Sequence, residues 1–134
     1  MLIFNFKPMG MNNVYASMRS GRRFLTKEGK EYKAKIESVA VNHFADLRGC
    51  EDALKFTMIV RGPWLTNKGL LSKTAGDLDG MIKLCLDSLC KPIDVNDACV
   101  TEIVARKEYA SNWSFEVDLV RTWSINPLEI SKLS

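Results

Sequence analysis

From Trp113 to Arg121 apolar and polar side chains alternate: Trp113, Phe115, Val117 and Leu119 fall on one side, Ser114, Glu116 and Asp118 on the other. A period of two belongs to an extended strand, because successive side chains there point to opposite faces. Ala53 to Arg61 repeats the pattern, with Leu54, Phe56, Met58 and Val60 set against Lys55, Thr57, Ile59 and Arg61. Leu2 to Lys7 reads as a further strand with Leu2, Phe4 and Phe6 on one face, and Val100 to Lys107 as another. Glu108 to Asn112 reads as a turn, which predicts an antiparallel hairpin from the last two strands.

Between the strands the period changes. Thr26 can cap a helix over about Lys27 to Phe44, in which Tyr32, Ile36, Val39, Ala40 and His43 share a face. The only histidine therefore reads as a structural residue on the apolar side, and Lys27, Lys30, Lys33 and Lys35 are too spread to form one binding stripe. A second helix follows Asp79, with Met81, Ile82, Cys85, Leu86 and Leu89 as its apolar stripe, and Pro92 ends it near Cys90. At 134 residues the chain makes one domain, expected over 1–123, followed by a tail at 124–134. No run approaches the roughly 18 apolar residues of a membrane span, and no signal peptide is visible. Cys50, Cys85, Cys90 and Cys99 form no C-x-x-C pair. Zinc is therefore not expected; reduced thiols and a cytoplasmic location are. The net charge of +3 permits a nucleic-acid partner without demanding one.

The chemistry concentrates in Gly76-Asp77-Leu78-Asp79-Gly80-Met81-Ile82-Lys83. If Gly76 to Asp79 is extended, Asp77 and Asp79 point to the same side and Asp79 caps the helix. Lys83 then lies one turn in, opposite the apolar stripe and free to meet a ligand. Asp97 adds a third acidic group after a short connector. Carboxylates gathered together stay ionised only with a cation among them, and oxygen-only ligands suit Mg²⁺, with Mn²⁺ as a substitute. Such an ion can polarise a phosphoryl oxygen and activate water for in-line attack. Taken alone, the two aspartates read more readily as helix-start residues. Arg19, Arg22 and Arg23 around Gly21 form a basic segment, read either as phosphate contacts or as a solvated loop. Lys68 and Lys73 lie on the approach to the acidic pair.

The order of these signals resembles the RusA-type Holliday junction resolvases, which are crossover-junction endodeoxyribonucleases. Pro8, Asn12, Asn13 and Tyr15 match an early motif, and Thr26-Lys27-Glu28-Gly29-Lys30-Glu31-Tyr32 matches the opening of a helix. Asp77, Asp79, Lys83 and Asp87 match the central motif, and Asn96-Asp97-Ala98-Cys99-Val100 the closing one. The resemblance implies that Asp77, Asp79 and Asp97 bind a divalent metal and that Lys83 assists at the scissile phosphate. It implies a homodimer acting on a four-way DNA junction. Three positions depart from the pattern. Gly76 stands where a basic residue is common, Gly80 where asparagine is common, and Asn96 where an acidic residue is common.

Together these readings predict an α+β fold, a mixed sheet with two main helices packed on it, RusA-like and homodimeric. They predict a Mg²⁺-dependent endodeoxyribonuclease with Asp77, Asp79, Asp97 and Lys83 at its centre. Arg19, Arg22, Arg23, Lys68, Lys73 and Lys83 are its DNA contacts. The alternative is a DNA-junction-binding protein that keeps the scaffold with little or no catalysis, motivated by Gly76, Gly80 and Asn96.

Overall fold

The computed structural model describes residues 1–11, 15–17, 21 and 23–123. The main elements are β1 (Leu2–Phe4), β2 (Tyr15–Ser17), β3 (Arg23–Leu25), α1 (Lys27–His43), β4 (Ala53–Gly62), α2 (Leu78–Cys90), β5 (Val100–Tyr109) and β6 (Ser114–Trp123). They form a mixed sheet of four strands in the order β1-β6-β4-β5, a separate β2–β3 hairpin, and two main helices. The fold is α+β, as expected. Arg19, Arg22, Asn12 and Asn13, and the expected tail at 124–134, lie outside the described residues. Among the described residues no helix is long and apolar enough to cross a membrane.

The order of the sheet corrects the expected hairpin. β5 and β6 are joined by a short connection but do not pair, because β4 lies between them. Phe56 stands opposite Leu119 in the antiparallel β4–β6 pair and opposite Ile103 in the parallel β4–β5 pair. Burial explains the choice. In β4 the residues Leu54, Phe56, Met58, Ile59 and Val60 are all buried, so this strand takes a central position with both edges hydrogen-bonded. β5 leaves Ile103 and Val104 exposed and goes to the edge. A parallel pair needs a crossover, and α2 lies in the one that joins β4 to β5.

Leu54, Phe56, Met58 and Val60 share one sheet face with Phe115, Val117 and Leu119, and this face packs in one core with Tyr32, Ile36 and Ala40 of α1 and Met81, Leu84, Cys85 and Leu89 of α2. Thr26 caps α1 as expected, its Oγ1 accepting from Gly29 N at 3.0 Å. The buried line of α1 runs through Gly29, Tyr32, Ile36 and Ala40 to Phe44 beyond its end. His43 lies on the flank of that line. It is exposed rather than on the apolar side, with Nε2 3.2 Å from the N-terminal amine. On the other sheet face Arg61 bridges Glu116 and Glu108, and Arg106 also holds Glu108.

Candidate functional site

β4 and β5 run in parallel to a common end, where Gly62 stands opposite Tyr109. The crossover leaves that end and returns as α2. Ligand crevices in sheets with parallel strands form at the carboxyl ends, because the loops that leave them are free to diverge. Trp113, just before β6, and Lys7, just after β1, arrive at the same end, since β6 starts at Ser114 opposite Arg61 and Phe4 pairs with Phe115.

The chain enters α2 through Gly76, whose φ of +134° is a conformation that side chains other than glycine rarely adopt. Asp77 is still extended (φ −97°, ψ 127°) and is the N-cap, while the helix already includes Leu78 and Asp79. This corrects two expectations. Asp79 is not the cap but lies in the first turn, and Gly76 to Asp79 is not one extended run. Asp77 makes no side-chain capping bond. Both aspartates nonetheless line one cavity of about 530 Å³, together with Lys83, Lys7, Arg23 and Lys73. Among the described residues, none of Asp77, Asp79 or Lys83 has a side-chain hydrogen bond or an ion pair. The lining therefore offers uncommitted oxygen donors beside cationic groups, under the positive end of a helix.

Asp97 is placed elsewhere. It lines a second recess with Asp87, Cys90 and Lys33. Asp79, Lys83 and Asp87 follow one another at intervals of four along α2, on one face, and eight residues of helix span about 12 Å. Asp97 is thus not among the residues that line the cavity of Asp77 and Asp79. Among the described residues no group of three or more His, Cys, Asp or Glu side chains stands together as a ready-made metal site. The donors that do share the cavity suit a hard cation that keeps water and takes oxygen from phosphate, which is how Mg²⁺ is usually held. Asn96 is committed to the backbone, its Oδ1 accepting from Ala98 N at 2.9 Å. Burial, then the nearby Asp97 and Asp87 carboxylates, pushes the Cys90 thiol up to about 12. That keeps it protonated at neutral pH and a poor nucleophile. All four cysteines are free thiols.

Of the basic residues expected at DNA, Arg23 and Lys73 line the cavity, and the Arg23 guanidinium lies 5.2 Å from the Tyr15 ring centre. Lys68 sits in a small turn, closed by the bridge between Leu65 and Leu71, and does not line the cavity. Two lysines not singled out from the sequence are also here. Lys7 lines the cavity, and Lys107 donates from Nζ to Gly76 O at 3.0 Å. Lys107 thus brings a cation to the place where the resemblance leads one to expect a basic residue at position 76.

The sequence profile described as Endodeoxyribonuclease RusA matches residues 5–119. A search of curated proteins finds no match. The profile spans β2 to β5 completely, reaches well into β6, and includes every residue of the acidic cavity. The chain belongs to the RusA endodeoxyribonuclease family.

Proposed function

We propose that this protein is a divalent-metal-dependent endonuclease that resolves four-way DNA junctions by phosphodiester hydrolysis, working as a homodimer with one site per cut strand. The observation that carries the reading is the meeting of Asp77, Asp79 and Lys83 on a single cavity at the start of α2. Family membership supplies the reaction class.

Asp77 and Asp79 would hold Mg²⁺. When bound, that ion supplies positive charge to a phosphoryl oxygen and acidifies the attacking water. Lys83 projects from the exposed face of α2 and stabilises the additional negative charge that develops on the phosphate. Arg23 and Lys73 line the cavity and hold the flanking backbone. Asp97 completes the acidic set in this proposal.

A labelled four-way junction and a matched linear duplex, each with Mg²⁺ or EDTA, test the proposal. Metal-dependent paired nicks in the junction alone are expected. Asp79→Asn is expected to abolish cutting while leaving junction binding intact or tighter, since it removes a ligand and a repulsive charge. Full nicking by that variant would sink the assignment. The separation of Asp97 from the acidic pair favours one second reading, a junction-binding protein with weak or no catalysis. Metal-independent gel shifts with no nicks in Mg²⁺ or Mn²⁺ would establish it instead.

A further inference from the structure

Two lysines beside the acidic site pack on an aromatic pair: Lys7, which lines the cavity, and Lys107, which holds the Gly76 carbonyl. Trp64 and Trp113 pack edge to face, with ring centres 4.8 Å apart and planes at 86°. Lys7 Nζ lies 4.6 Å from the Trp113 ring centre, and Lys107 Nζ lies 4.2 Å from that of Trp64. Both rings are anchored. Trp64 is 2% exposed and donates from Nε1 to Val60 O at 3.0 Å. Trp113 lies on Gly62, where any Cβ would collide with its ring. A lysine on the surface ordinarily samples many rotamers, and each of these two is instead drawn to an indole face by the ring quadrupole. The position of each is therefore biased toward its indole before any substrate arrives.

We propose that the Trp64–Trp113 pair is a brace for the nuclease site. In it Lys7 takes a backbone phosphate of the DNA, and Lys107 is a positioning residue that holds Asp77 through the Gly76 carbonyl. The inference rests on the nuclease reading above. Lys7 shares the cavity with Asp77 and Asp79 but has no carboxylate partner among the described residues, so its charge is open to an anion. Lys107 sits on β5 opposite Val60, and its bond to Gly76 ties the left-handed turn before Asp77 to the sheet. Without that tie the N-cap aspartate loses its only link to β5 through this turn among the described residues.

The test uses the full chain with Trp123→Phe, which removes an exposed indole at the end of β6 and leaves Trp64 and Trp113 as the fluorophores. Junction affinity is measured as a function of salt, and nicking as kcat and KM, for Lys7→Met, Lys107→Met and Lys107→Arg. Lys7→Met is expected to raise KM more than it lowers kcat and to reduce the salt slope of binding by about one, as the loss of one phosphate contact does. Lys107→Met is expected to lower kcat by roughly tenfold to a hundredfold with the salt slope unchanged, as misplacing a reacting group does. Lys107→Arg is expected to recover most of the rate, because a guanidinium also stacks on indole and donates. Both methionine variants are expected to change the tryptophan emission. An unchanged salt slope in Lys7→Met, or an unchanged kcat in Lys107→Met, overturns the proposal. A parent protein that binds junctions without cutting defeats the nuclease reading alone. Lys7→Met then decides the brace, a reduced slope upholding it and an unchanged slope overturning it. A parent that binds no DNA overturns both.

Discussion

Cys90 takes no part in the proposed chemistry, yet it reports the charge around the second recess. Its thiol is pushed from an ordinary 9.0 to about 12, by burial first and then by Asp97 and Asp87. Burial also raises Cys85 and Tyr32. A group that holds its proton more tightly when folded contributes stability in full below its unfolded pKa and loses it as pH rises toward the folded value. The share of stability these three groups contribute is therefore expected to be intact up to about pH 9 and to fall as the pH rises from 9 to 12. Urea midpoints across that range check this, and Cys90→Ala is expected to make the decline shallower, whatever its effect at pH 7. A decline of identical steepness in the variant would contradict it. At this scale the sequence was legible where a residue's type declares its chemistry. Asp77, Asp79 and Lys83 are charged groups beside an apolar stripe, and they do share a cavity. Lys7 and Lys107 carry no such mark, since a lysine at a strand end looks alike whether it faces water or an indole. Their role depends on Trp64 and Trp113, which lie 49 positions apart and meet only because β4 and β6 pair.

The start of α2 shows how one backbone angle decides the setting of a functional pair. Gly76 has φ +134°, and a Cβ there would approach Met81 Cε to 2.5 Å. Supplying the basic residue common in the family, by Gly76→Lys, is therefore expected to destabilise the protein by about 1–3 kcal/mol rather than to improve the site. Urea denaturation measures this, and a variant at least as stable as the parent would refute the argument. Gly80 differs. A Cβ there meets Met11 N at 3.5 Å, an ordinary contact, and glycine costs roughly 1 kcal/mol against alanine within a helix. Gly80→Ala is expected to raise the urea midpoint. α1 could be read closely in advance because Thr26 and the spacing of Tyr32, Ile36 and Ala40 agree on its start and face. α2 is capped two residues before the expected position because Asp77 and Asp79 are equally good caps, and propensity alone does not choose between them. The predicted β5–β6 hairpin failed for a related reason. Closeness along the chain favours pairing, but β4, the strand with most of its residues buried, displaces β5 as the neighbour of β6.

Over the whole molecule, strand patterns and helix periods were enough to give the fold class, whereas the location of the cavity required the topology. A site at the carboxyl end of a parallel pair exists only once β4 and β5 are known to run together, and nothing local in either strand states that. The same topology bears on how the chain is made. Every strand that pairs with β4 is synthesised after it: β5 from Val100 and β6 from Ser114. β1 waits longest, since Leu2 pairs with Val117. On the ribosome, Leu54 to Val60 therefore emerges as an apolar ribbon with both edges bare while its neighbours are still untranslated. Such a ribbon is a template for pairing between nascent chains. A chain stopped after Tyr109 is expected to accumulate in the insoluble fraction, and one carried through Trp123 to stay in solution. The chain is thus most open to mispairing in the interval between the synthesis of its central strand and the release of its last one.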